Sequence, residues 1–208
     1  MVEDQAMLDL VAAMEDGFTG DGLIPHAFMP GGFGGDPEIK GLQLTDDLDT
    51  VVGYTDTLLL RHNVLEDTLN NFIADGILAV ADSVADVTSV PGWENGVDIS
   101  MANGFRFGNA VLPLREGCDT CGVITLRDLY TWFPIAPAVN VADFSGQSIQ
   151  NSLNTILGAV FDRNVFMQRG GWYLGLANME QKIDLKNRPF SSSSGRIVET
   201  KIGGEALD

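Results

Sequence analysis

Apolar residues recur at helical spacing in three long stretches of the chain, and short β-type runs separate them. Met7, Leu8, Val11 and Met14 share one face of residues 4–17, with Asp9, Glu15 and Asp16 off it, which predicts a helix that Gly17 stops. Leu69, Phe72, Ile73, Ile77 and Val80 predict a second helix over 68–81 with those side chains inward. Ile149, Leu153, Ile156, Leu157 and Val160 predict a third after a turn at Ser145-Gly146, itself preceded by a strand in which Val139, Val141 and Phe144 alternate. A shorter segment starts extended at Val123, Ile124 and Thr125. It continues as an amphipathic helix through Leu126, Leu129, Tyr130 and Phe133 until Pro134 closes it.

Further extended runs fall at 47–54, 57–60 and 97–101. Residues 172–176 and 181–185 read as strands paired with each other, and 196–202 as a last strand leading to Gly203-Gly204. Residues 83–90 suit either a short helix or a loop before the Pro91-Gly92 turn. From Phe18 to Leu44 the chain is rich in Gly and Pro (GDGLIPHAFMPGGFGGDP), which predicts an irregular connection. The expected organisation is therefore an N-terminal helix with a linker or insertion over 1–45, then one α+β domain over 46–208. No repeat or heptad is present.

Composition narrows the function classes. With 208 residues, 45% hydrophobic and 8% aromatic, the chain can bury a sizeable core. A net charge of −17 would repel a phosphate backbone, so nucleic acid is an unsuitable partner. No run of eighteen apolar residues and no basic, then apolar, leader is seen, so the expectation is no membrane span and no export signal within this chain.

Candidate chemistry is sparse. In MANGFRFGNAVLP, Gly104 removes the side-chain bulk that would hold a ligand away from the backbone, and Arg106 offers a planar fork of donors suited to an anion. The two histidines, His26 and His62, sit in no two-His motif, and nothing near either completes a coordination shell. Cys118 and Cys121 form a single C-x-x-C in EGCDTCG. Zinc would need two more ligands and a redox motif a thioredoxin-like setting; a local disulfide is the reading adopted, with reduced thiols as the alternative.

Three segments occur in an order that one hydrolase family uses: MANGFRFGNAVLP, GVITLRDLYTWFP and VADFSGQSIQNSLNTILGAVF. Together they resemble the C-terminal domain of the 5′-nucleotidase family, over residues 48–203. The family's pattern is a glycine-rich turn ending in Arg, an "IT..DLY..LPF" segment and an "LTG..L...L" helix. The run GYTDTLLLRHNVLEDTLNNFIADGI, residues 53–77, and GFRFG at 104–108 look more like the thiosulfohydrolase subtype of the family, SoxB.

The resemblance implies mixed sheets packed with helices, and a domain that recognises substrate while catalysis belongs to a separate metallophosphatase domain. That partner domain would carry two divalent metal ions; no cofactor and no catalytic residue is expected here. Arg61 and Arg106 match arginines that face the substrate in the family, against a reading of each as an ordinary salt-bridged arginine. Asn103 is a weaker match, because Met101 and Ala102 stand where the family's turn places its Asn. The implied substrate is an anionic small molecule or a group on a carrier protein, and the implied location periplasmic or extracellular, which a disulfide would suit.

Departures bear on the substrate. Family nucleotidases stack the base between two aromatics, but Ile135 occupies the first position, and the late aromatic loop is not found before Asp208, so the domain is expected to be truncated at its C-terminal end. Trp172, after Gly170-Gly171, suits a core position better than a pocket. The alternatives carried forward are a part of an active nucleotide-hydrolysing 5′-nucleotidase, and an interaction module that has lost its site.

Overall fold

The computed structural model describes residues 5–19, 46–88, 96–103, 108–119, 121–133, 139–168, 173–188 and 195–207. The predicted turn at 104–106, Pro134, Ile135, Trp172 and the 18–44 connection beyond Thr19 lie outside them. The chain divides into two interleaved units, Met1–Leu58 with Phe107–Asn140, and Leu59–Arg106 with Val141–Asp208. Mixed helices and small antiparallel sheets make the fold α+β.

In the first unit, helix α1 (Gln5–Thr19) is followed by strand β1 (Val51–Tyr54). β1 pairs antiparallel with β3 (Val123–Thr125), with a bulge between Val51 and Gly53. Residues 47–50 do not join the strand. Helix α3 (Leu126–Trp132) starts directly after β3 because Thr125 and Asp128 form a capping box: Thr125 Oγ1 accepts from the Asp128 N–H, and Asp128 accepts from the Thr125 N–H. Trp132, fully buried, donates its indole N–H to the Asn109 carbonyl at 3.1 Å, and Ile124, Val111 and Cys121 are buried in the same unit.

In the second unit, helix α2 (Thr68–Thr88) lies against β2 (Ser100–Ala102) and β4 (Gly175–Ala177), which pair antiparallel. The helix absorbs most of 83–90. Its inward face also differs from the expected one: Leu69, Asn70, Ile73, Ala74 and Ala81 are buried, whereas Phe72 and Val80 are exposed. The cause is close approach. A Cβ on Gly175 would sit 2.6 Å from the Asn70 carbonyl oxygen, so the strand runs against the helix backbone and leaves room there only for slim side chains.

Helix α4 (Gly146–Val160) is capped by Ser145, whose hydroxyl accepts from the Ser148 N–H at 3.2 Å. Ile149, Leu153 and Leu157 join Tyr173 and Met179 in the main core, with Ile183, Ile197 and Ile202 packed against them. Those isoleucines come from β5 (Met179–Ile183) and β6 (Ile197–Ile202), which pair antiparallel and continue to β7 (Glu205–Ala206). Gly203 (φ +58) and Gly204 (φ +85) make the turn between β6 and β7, with both residues in the left-handed region a tight hairpin requires.

Two sequence expectations are corrected. Residues 139–144 form no strand, and Val139 and Phe144 are exposed: alternation alone makes no strand without an edge to pair with. The strand-like runs near 172–176 and 181–185 do not pair with each other. Asn178, with φ 56, turns the chain between β4 and β5 and sends them to different sheets.

Candidate functional site

The start of α2 gathers two buried charged residues of the second unit, Arg61 and Asp67. Asp67 precedes the helix, and its Oδ1 accepts the Asn70 backbone N–H at 2.8 Å while Oδ2 accepts from the Asn70 side-chain amide at 3.1 Å. One carboxylate thus satisfies an orphan helix donor and orients an interior amide. Arg61 is 8% exposed, Asp67 4% and Asn70 3%. Burial lowers the pKa of Arg61, against the opposing pull of Asp67. Burial likewise raises the carboxyl of Asp67, against the Asn70 hydrogen bond and the charges of Arg61 and His62. In each case desolvation outweighs the attraction of the pair.

Of the three candidate ligand-binding residues, Arg61 is therefore interior and opposed to Asp67. Asn103 is exposed and directly follows β2, whose Ser100 hydroxyl donates to the Ala74 carbonyl at 2.5 Å and so ties the strand to α2. Arg106 lies outside the described residues, so the three are not brought together by what is described. Cys118 and Cys121, in the first unit, are joined by a disulfide at a turn in which the Cys118 N–H bonds the Arg115 carbonyl at 3.2 Å.

No group of three or more His, Cys, Asp or Glu side chains among the described residues could hold a metal ion. His62 is exposed and His26 lies outside the described residues. The described donors do not fit a dinuclear metal centre. No helix among them is long and apolar enough to cross a membrane.

Sequence reasoning passed over two interior charged residues. Asp67 carried a signal, an acidic residue directly before the apolar period of a helix. Arg196 carried none. It is 5% exposed, and donates through Nη1 to the Leu157 carbonyl at 3.3 Å and through Nε to the Asn187 carbonyl at 3.4 Å, so a buried cation closes the C-terminal end of α4.

The described residues thus form an α+β fold with a buried arginine and a buried carboxylate just ahead of α2. The chain belongs to the family of the 5′-nucleotidase C-terminal domain, whose model matches residues 50–208. It is 33% identical over 164 residues to the trifunctional nucleotide phosphoesterase protein YfkN of Bacillus subtilis, a match covering 77% of this chain and 9% of that protein. In fold it is similar to the sulfate thiohydrolase SoxB of Thermus thermophilus in complex with glycerol (TM-score 0.59, 23% identity, 77% of this chain and 26% of that one). It is also similar to a 5′-nucleotidase precursor from the same species (TM-score 0.53, 18% identity, 76% of this chain and 27% of that one). The chain thus spans a small part of each of these three proteins. Domains of this family are normally paired with an N-terminal metallophosphoesterase domain.

Proposed function

We propose that residues 46–208 form the substrate-recognition domain of a metallohydrolase, gripping an anionic group of the substrate, with residues 1–45 as helix and linker toward a metallophosphoesterase domain that carries the metal pair. The observation that supports this most directly is the family match over 50–208 in a chain whose sequence contains only two histidines. Arg106 is the proposed ligand contact and Asn103 its neighbour at the end of β2. Arg61 is proposed as a positioning residue: with its guanidinium interior, it acts by holding the loop before α2 in place with Asp67. Ile135, where family nucleotidases place a stacking aromatic, favours a slim oxyanion of the sulfur-compound type over a nucleobase. The disulfide favours an extracytoplasmic location.

A second reading, recognition of a nucleotide, is favoured by one observation: the 33% identical relative is a nucleotide phosphoesterase. Calorimetric titration of the chain with sulfate, thiosulfate, AMP and adenosine, repeated on Arg106→Ala, separates the two. Sulfate and thiosulfate binding that Arg106→Ala abolishes supports the first reading. Adenosine binding that survives the substitution supports the second. Absence of binding by all four to the folded chain would sink the recognition role. Turnover of nucleoside monophosphates by the chain with added Mn²⁺ would overturn the placing of catalysis in a separate domain.

A further inference from the structure

The β5–β6 pair presents a polar rung inside an otherwise apolar face. Met179 pairs with Ile202, Gln181 with Thr200, and Ile183 with Ile197, so the rung at Gln181 and Thr200 lies between two hydrophobic ones. Met179, Ile183, Ile197 and Ile202 all belong to the core built on α4, and Thr200 is 2% exposed. On the other face the pairs are Glu180 with Lys201 and Lys182 with Glu199, which is the ordinary solvent-side pattern. Gln181 and Thr200 therefore point into the core with Tyr173.

Tyr173 fixes how the rung is used. Its hydroxyl donates to Gln181 Oε1 at 2.5 Å, which commits that oxygen and turns the amide nitrogen away from the phenol. Gln181 Nε2 and Thr200 Oγ1 are both buried, and neither has a hydrogen-bonding partner among the described residues. Directly opposed residues of an antiparallel pair lie close enough, with Cβ atoms about 4.5–5.5 Å apart, for one small molecule to reach both side chains. Two dry polar atoms side by side would each forfeit their hydration, whereas one small donor and acceptor would satisfy the two together.

We propose that Gln181 Nε2 and Thr200 Oγ1 hold a buried water molecule, which completes a Tyr173–Gln181–water–Thr200 chain within the core. The water accepts from the amide and exchanges a hydrogen bond with the hydroxyl. The chain pins the register of β5 on β6, because a slip of β5 by one residue would turn Gln181 to the opposite face and away from Thr200.

A high-resolution crystal structure of the full chain tests this first: a solvent peak is expected within about 2.7–3.2 Å of both atoms. Density showing Gln181 bonded directly to Thr200, or no solvent there, overturns the proposal. Urea unfolding of variants gives a second measurement. Thr200→Val keeps the shape but removes one anchor, and should lower the folding equilibrium constant about tenfold. Tyr173→Phe, Gln181→Leu and Thr200→Val together remove every polar group of that hydrogen-bonded chain, and with it the demand for water, and should recover most of that loss. A Thr200→Val protein as stable as the parent overturns the proposal, and if it fails to fold, the density in the parent protein decides.

Discussion

Leu153 and Phe166 are both large apolar side chains of the second unit, yet one is 1% exposed and the other 93%. Leu153 sits in the core on α4, so Leu153→Ala should cost about 2–5 kcal/mol, the transfer of its methyl groups plus the cavity left behind. Phe166 stands on a loop that satisfies its own backbone. The Asn164 N–H bonds Asp162 Oδ1 at 2.8 Å, the Phe166 N–H bonds Asn164 Oδ1 at 3.1 Å, and Gln168 Nε2 reaches the Asp162 carbonyl at 2.8 Å. Phe166→Ala should therefore change stability by no more than about 0.5 kcal/mol. Urea midpoints at constant slope measure both; comparable losses would mean that Phe166 is covered in solution. Asp67 supplies a pH prediction. Its carboxyl is raised above the ordinary 3.8 chiefly by burial, so the folded chain holds that proton more tightly than the unfolded one. The contribution to stability is fully present below 3.8 and is lost as pH rises through the raised value. Asp67→Asn keeps an oxygen to cap Asn70 but cannot titrate. Over that window the parent should lose stability relative to Asp67→Asn, and a constant difference between them would refute the assignment.

At the scale of elements, the Asn70–Gly175 contact carries the clearest consequence. Gly175→Ala places a methyl 2.6 Å from the Asn70 carbonyl oxygen and 2.9 Å from its Cβ, neither of which can yield without moving α2 or β4. The expected cost is about 1–3 kcal/mol, as for overpacking elsewhere, read as a lowered urea midpoint. An unchanged midpoint would show that helix and strand are not held so closely. This contact also explains what the sequence could and could not convey. α1, α3, α4 and β6 were legible because each is local: an apolar period, a capping residue, or a run of β-branched residues closed by glycines. The inward face of α2 was not, since Phe72 and Val80 look like core until Gly175 is known to press on the neighbouring face. Strand partners were equally hidden, because the left-handed Asn178 that separates β4 from β5 carries no glycine to announce it. Of the candidate site, Arg61 was singled out by the family resemblance alone, and its burial against Asp67 depends on the packing of α2.

The whole molecule carries 12 Lys and Arg against 29 Asp and Glu, hence −17. Such an excess repels itself in the compact state more than in the expanded one. Its described ion pairs offer little in return: Arg127–Asp49 at 2.9 Å and Lys201–Glu199 at 3.8 Å are largely exposed, and surface pairs of this kind contribute about 0–1 kcal/mol. Salt screens both effects, with a Debye length of about 30 Å at 0.01 M and about 3 Å at 1 M. Because the acidic excess outnumbers these contacts, relief of repulsion should dominate. Raising sodium chloride from low to near-molar concentration should lift the melting temperature by a few degrees, given that about 1 kcal/mol corresponds to roughly 2–4 °C in a chain of this size. Differential scanning calorimetry across a salt series, with sodium sulfate avoided so that ligand binding and preferential exclusion do not intrude, measures it. A fall in melting temperature with salt would mean that attractive pairs outweigh the −17, and the chain would then be held together by charge rather than strained by it.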